Sequence, residues 1–163
     1  MDEALYRLAE EVGGELKRRA MMLVTAESCT GGWVGEAITA VPGSSCWFDR
    51  GFITYTNEAK QEMLGVAATT LEQHGAVSEL TVREMVLGAL NNSHAQVALA
   101  ISGIAGPGGG TPEKPVGTVC FAWGFAKGLV TSERMQLEGD RYEVRRKAVE
   151  CGLQGLLGRL KGV

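Results

Sequence analysis

The sequence is short of the residues from which metal centres and disulfide scaffolds are built. Only two histidines, His74 and His94, accompany four cysteines at 29, 46, 120 and 151, and no C-x-x-C pair occurs. Familiar zinc spacings are therefore missing, and neither a zinc site nor a disulfide is expected. A basic excess is lacking as well. Sixteen Lys and Arg against 19 Asp and Glu leave a net charge of −3, which disfavours a nucleic-acid partner, because phosphate binding over a large footprint needs a concentrated basic face. No apolar run approaches the ~20 residues of a helical membrane span. The N-terminal MDEALYRLAEEVGGELKRRA is charged and amphipathic, without the apolar core of a signal peptide. The expectation is a cytoplasmic protein with no membrane partner. A length of 163 residues suits one domain, 1–163, with a core of its own and no linker or internal repeat. Glycine is the residue in surplus: there are 23, about twice the ordinary ~7% share, clustered in loops.

Leu5, Leu8, Val12 and Leu16 recur at spacings of three and four, which predicts a helix over 3–19. Met21 to Thr25 reads as a short buried strand, and Gly31 to Ala40 as a helix that stops before Pro42-Gly43. Cys46 to Thr56, rich in aromatic and β-branched residues, predicts a second strand, and Asn57 an N-cap for a helix through Leu64. TTLEQHGAVS reads as loop with one turn of helix, and Ser78 as the cap of a helix whose stripe is Val82, Met85, Val86 and Leu90. Ala95 to Ile101 is a third, buried strand. Two more strands, Val116 to Trp123 and Leu129 to Gln136, form a hairpin about Ala126-Lys127-Gly128, and a closing helix starts near Asp140. This order predicts an α/β fold, a three-layer α/β/α sandwich with a mixed sheet.

Three loops, 26–32, 55–60 and 102–115, leave the C-terminal ends of predicted strands, where ligands bind in open α/β sheets. In TAESCTGG, Gly31 and Gly32 permit close backbone approach, and the helix start offers unpaired N–H groups near Thr30 to Gly32 for an anion or developing oxyanion. Ser28 stands just ahead as the candidate nucleophile; the alternative is that Ser28 and Thr30 only cap the helix. Serine needs a base. Lys60, near the positive end of a helix and partly buried, would have a lowered pKa, and Tyr55 could pass or hold the proton between them. Taken singly, Lys60 also reads as a solvated helix lysine and Tyr55 as a strand tyrosine. Cys29 has no evident activator. Glu27 is placed to orient a substrate hydroxyl or the loop itself.

SGIAGPGGGTPEKP fits neither phosphate-binding pattern: Gly110 is followed by Thr111 where G-x-x-x-x-G-K-[ST] requires Lys, and G-x-G-x-x-G from Gly106 also meets Thr111. Its backbone can still form an anion nest, with Ser102 and Thr111 adding hydroxyls, or be a surface loop. Arg141 and Arg145 open the last helix as a solvated face or as a reach toward a phosphate.

Five stretches, TAESCTGG, GSSCWFDRGFITYTNEAKQEMLGV, HGAVSE, ALAISGIAGPGGGTPEKPVGTVCFAW and EGDRYEVR, together resemble the CinA C-terminal-domain family in its single-domain form, in the family's order and over nearly the whole chain. The resemblance implies a metal-independent Ser/Lys amidohydrolase, needing no metal or organic cofactor, that converts nicotinamide mononucleotide to nicotinate mononucleotide and ammonia in pyridine nucleotide recycling. It puts the catalytic serine, tyrosine and lysine on Ser28, Tyr55 and Lys60. It puts the nucleotide against the glycine-rich loop, Ser102 to Pro107, so that Ser102, Gly103, Ala105 and Gly106 join Glu27, Thr30, Gly31, Gly32 and Arg141, read above from the residues themselves, as candidate binding positions. A homo-oligomer is also implied. Many members carry a further N-terminal domain similar to molybdopterin-binding proteins, whose activities do not transfer to the segments matched here. The rival readings are a non-catalytic nucleotide-binding or competence/damage-associated interaction protein, and an amidohydrolase of a different substrate.

Overall fold

The computed structural model describes residues 1–162. Helix α1, Glu3–Arg18, is started by Asp2, whose carboxylate accepts from the Leu5 N–H at 3.1 Å, and it buries the stripe Leu5, Ala9, Val12 and Leu16. Strand β1, Leu23–Glu27, leads through a tight turn into α2, Trp33–Thr39. A 3-10 turn, Ser44–Cys46, precedes β2, Phe48–Ile53. Helices α3, Asn57–Leu64, α4, Ala68–His74, and α5, Glu79–Asn91, come next, then β3, Val97–Gly103. The hairpin β4, Thr118–Phe125, and β5, Val130–Gln136, is followed by α6, Arg141–Lys161, begun by a capping box between Asp140 and Glu143.

The five strands are ordered β2-β1-β3-β4-β5, with β1 parallel to β2 and β3 and the other neighbours antiparallel. The sheet is mixed and helices cover both faces, as the alternation of element types predicts. Residue size decides which helices lie where. Along β3 and β4 the large side chains Leu99, Ile101, Phe121 and Trp123 join the core with α1, α2 and α6, while Ala98, Ala100, Cys120 and Ala122 face α5. The small face lets α5 approach closely. Gly124 completes that face, because a Cβ there would sit 2.5 Å from Val86 Cγ1.

Several boundaries differ from the sequence reading. β1 and β3 each lie two residues further along, which puts Glu27 on a strand and Gly103 at a strand end. Helix α2 starts at Trp33, because Gly31 and Gly32 take positive φ (+59° and +101°, respectively) that a helix excludes. The cap of α3 is Thr56, whose hydroxyl accepts from the Ala59 N–H at 3.0 Å, so Asn57 is already helical. The stretch read as loop with one turn holds the seven-residue α4.

Candidate active site

Because β1, β2 and β3 are parallel, their following loops emerge on one edge. Backbone bonds tie them together there: the Ser28 N–H donates to Ile101 O at 3.0 Å and the Thr54 N–H to Glu27 O at 2.8 Å. Ser28 leaves the end of β1, and α3 delivers Lys60 from the other side. The Lys60 side chain is fully buried, and its Nζ lies 3.0 Å from Ser28 Oγ, 2.8 Å from Thr54 O and 3.2 Å from Tyr55 O. Burial lowers its pKa from an ordinary 10.5 to about 8, with the neighbouring Cys29 pulling weakly the other way. Among the described residues no carboxylate pairs with it. A neutral lysine in this place donates its two N–H to the two carbonyls and turns its lone pair to the serine hydroxyl.

Glu27 is 2% exposed, and its carboxylate is fully engaged by the protein. Oε1 accepts from the Thr30 hydroxyl at 2.6 Å and from the N–H groups of Gly32 at 3.2 Å and Val34 at 2.9 Å; Oε2 accepts from Gly35 N–H at 3.1 Å. The anion expected at the start of α2 is thus the chain's own, and it neutralises that helix end. Of the two roles expected for Glu27, these bonds are those of ordering the loop; the Thr30 hydroxyl is turned inward to Glu27, and Gly31 and Gly32 donate their N–H groups to Ser28 O and Glu27.

The cavity beside Ser28, about 170 Å³, brings together Lys60, Tyr55, Ser102, Gly103, Ala105 and Arg141 from the expected set. Its remaining wall is Cys29, Ala76 and Val77. The last two were not singled out, although they lie in the HGAVSE stretch that carries part of the resemblance. Arg141 comes from the first turn of α6, donates to Gly106 O at 2.7 Å and to the Tyr55 hydroxyl at 3.1 Å, and so joins the glycine-rich loop to the β2 exit. Tyr55 was expected between Ser28 and Lys60. Its hydroxyl instead accepts from Arg141, its side chain is largely exposed, and it reaches Lys60 only through its backbone carbonyl. Arg145 is likewise no solvated residue. One turn along α6, it donates through Nε to Cys29 O at 2.9 Å and through Nη2 to Thr30 O at 3.3 Å. Glycine is required at 103, where a Cβ would come within 2.7 Å of Val119 Cγ2 and 3.1 Å of Cys29 Sγ.

A family model described as the CinA C-terminal domain matches residues 5–160. The chain belongs to this family. Among curated relatives of the CinA C-terminal domain, it is 56% identical over 155 residues to nicotinamide-nucleotide amidohydrolase PncC of Escherichia coli (strain K12), covering 95% of this chain and 94% of that protein. It is 53% identical to the Pseudomonas putida protein of the same name, covering 95% and 96%. A longer relative, a CinA-like protein of Akkermansia muciniphila, is 50% identical over 150 residues that span 92% of this chain and 36% of that protein. The crystal structure of competence/damage inducible protein CihA from Agrobacterium tumefaciens superposes with a TM-score of 0.95 at 43% identity, covering 99% and 98% of the two chains.

Within this CinA-type site the thiol beside Ser28 is inert. Burial pushes the Cys29 pKa up to about 11, so the thiolate that would attack is scarce at neutral pH. Among the described residues no group of three or more His, Cys, Asp and Glu is placed to hold a metal ion, and no helix is long and apolar enough to cross a membrane.

Proposed function

We propose that this chain hydrolyses the carboxamide of nicotinamide mononucleotide, giving nicotinate mononucleotide and ammonia for pyridine nucleotide recycling, with Ser28 as nucleophile and Lys60 as base. The substrate is carried by the likeness to the nicotinamide-nucleotide amidohydrolases, which extends over nearly the full length of both chains. The chemistry is carried by one observation: a fully buried lysine, unpaired with any carboxylate among the described residues, 3.0 Å from a serine hydroxyl at a strand end.

In this reading Lys60, neutral, takes the Ser28 proton as Oγ bonds to the amide carbon, and the carbonyl oxygen becomes an oxyanion held by backbone N–H groups. Collapse of the tetrahedral intermediate breaks the C–N bond, and Lys60 returns the proton to the departing ammonia. Water then gives a proton to Lys60, adds to the acyl carbon, and releases nicotinate mononucleotide as Ser28 is reprotonated. The cavity admits the flat pyridine ring beside Ser28. The ribose phosphate then lies at the mouth, where Arg141 has N–H groups to spare and the glycine-rich loop approaches. Tyr55 acts by holding Arg141.

The test is release of ammonia and nicotinate mononucleotide from nicotinamide mononucleotide by purified protein in the presence of a chelator, beside Ser28→Ala and Lys60→Ala. Turnover by the wild type with near-complete loss in both variants supports the reading. Binding of the nucleotide without turnover replaces it with the non-catalytic nucleotide-binding protein.

A further inference from the structure

The reaction needs an oxyanion site, and the turn after Ser28 has already spent most of its donors. Gly31 N–H is held by Ser28 O at 3.0 Å, Gly32 N–H by Glu27, and Trp33 N–H by Thr30 O at 3.0 Å. The amides of Cys29 and Thr30 have no protein acceptor among the described residues. They are also the two nearest in sequence to the nucleophile. Their direction is fixed from behind. In a trans peptide the C=O and the next N–H point in opposite senses, and the peptides of this turn are trans. Whatever holds Cys29 O therefore aims Thr30 N–H the other way.

We infer that Arg145 is a positioning residue which, by holding the Cys29 and Thr30 carbonyls from α6, aims the Thr30 N–H, with that of Cys29 beside it, at the oxyanion formed on attack by Ser28. Three features carry this. Arg145 reaches the turn by two bonds, 2.9 Å to Cys29 O and 3.3 Å to Thr30 O, across 115 residues or more of sequence. Its guanidinium is itself steadied 5.5 Å over the Trp33 ring, at the start of the helix that the turn leads into. It belongs to the helical layer that packs with Cys29, while Lys60 meets Ser28 from α3. Pulling the Cys29 carbonyl toward α6 thus sends the following N–H away from α6, to the side where the reaction takes place. Lysine would keep the charge but supply only a point donor, unable to hold two carbonyls in one plane.

The inference rests on the serine mechanism proposed above, so its test includes a probe that does not depend on the nucleotide. A fluorophosphonate reacts when Ser28 Oγ bonds to phosphorus, its proton passes to Lys60 and fluoride leaves. Charge builds on the phosphoryl oxygen in the oxyanion site, and mass spectrometry of the Ser28 peptide gives the rate. Removing one oxyanion donor outright costs about 10²–10³-fold, so misaiming it in Arg145→Ala should cost about 10–100-fold. The same fall is expected in kcat with nicotinamide mononucleotide, while KM stays within about twofold and the pH at which the rate rises is unmoved. Guanidinium ion should restore part of the Arg145→Ala rate, and Arg145→Lys should fall between the two. If Arg145→Ala does not fold, Arg145→Lys decides. Wild-type phosphonylation by either variant, or a raised KM with unchanged kcat, overturns the inference. If the wild type leaves the nucleotide intact yet its phosphonylation depends on Arg145, the substrate assignment falls and the role of Arg145 stands.

Discussion

Lys60 Nζ stands 3.0 Å from Ser28 Oγ while donating to Thr54 O and Tyr55 O, so a single buried nitrogen is fixed by two carbonyls and aimed at one hydroxyl. The ammonium form can fill all three contacts but cannot accept a proton. Only the neutral form is a base, and with a pKa of about 8 it is the minority at neutral pH. The expected kcat/KM therefore rises with pH and levels above about 8, and Lys60→Arg, permanently charged, should lose at least about 10³-fold. A pH–rate profile from 6 to 10 checks this. A flat profile removes Lys60 as the base.

The same depressed pKa makes a prediction about stability. Below pH 8 the lysine is charged in both the folded and the unfolded chain, and the folded state bears the cost of burying it. Between about 8 and 10.5 the folded lysine is neutral while the unfolded one still holds its proton, so this cost is progressively relieved. Relative to Lys60→Met, which has no such group, the wild type should gain about 3 kcal/mol of unfolding free energy from pH 7 to 10.5. Urea unfolding of both proteins at several pH values measures it. A constant difference would mean that Lys60 titrates normally.

Glu27 should be a stability residue and not a binding one. Its two oxygens accept four hydrogen bonds inside the turn. Glu27→Gln keeps one oxygen but sets an NH2 against an N–H, at a cost of about 1–3 kcal/mol, and Glu27→Ala leaves all four donors unpaired and should cost more. KM of the folded Glu27→Gln protein should stay near the wild-type value. Denaturation curves and steady-state kinetics separate the two effects, and a large KM change with unaltered stability would return Glu27 to the substrate.

Much of this was legible in the sequence and some could not be. The order of helices and strands follows from period and from turn residues, and the three loops meet on one edge because β1, β2 and β3 are parallel. Ser28 and Lys60 were readable as partners for that reason. What fails is what depends on a single rotamer or a tertiary contact. Tyr55 exposes its ring and offers its carbonyl, and nothing local distinguishes that from a hydroxyl turned inward. Arg145 looked like one more charge on an exposed helix face, and only the approach of α6 to the nucleophile turn gives it two carbonyls to hold. Glu27 was ambiguous because its four donors belong to a turn whose shape depends on Gly31 and Gly32.

Arg141 gives the last prediction, because it touches the site without touching Ser28 or Lys60. It grips Gly106 O and the Tyr55 hydroxyl at the mouth of the cavity, leaving the rest of its guanidinium for an anion. In the proposed reaction it meets the phosphate, which is the same in the ground and transition states, so its contribution is to binding alone. A charge-assisted contact of about 1.5–3 kcal/mol corresponds to about a 10–100-fold rise in KM for Arg141→Ala, with kcat nearly unchanged. Nicotinamide riboside, which lacks the phosphate, should be a poor substrate for the wild type and no worse for the variant. If instead Arg141→Ala impairs the nucleoside as severely as the nucleotide, the arginine serves by holding Tyr55 and the Gly106 loop in place, and the phosphate binds elsewhere.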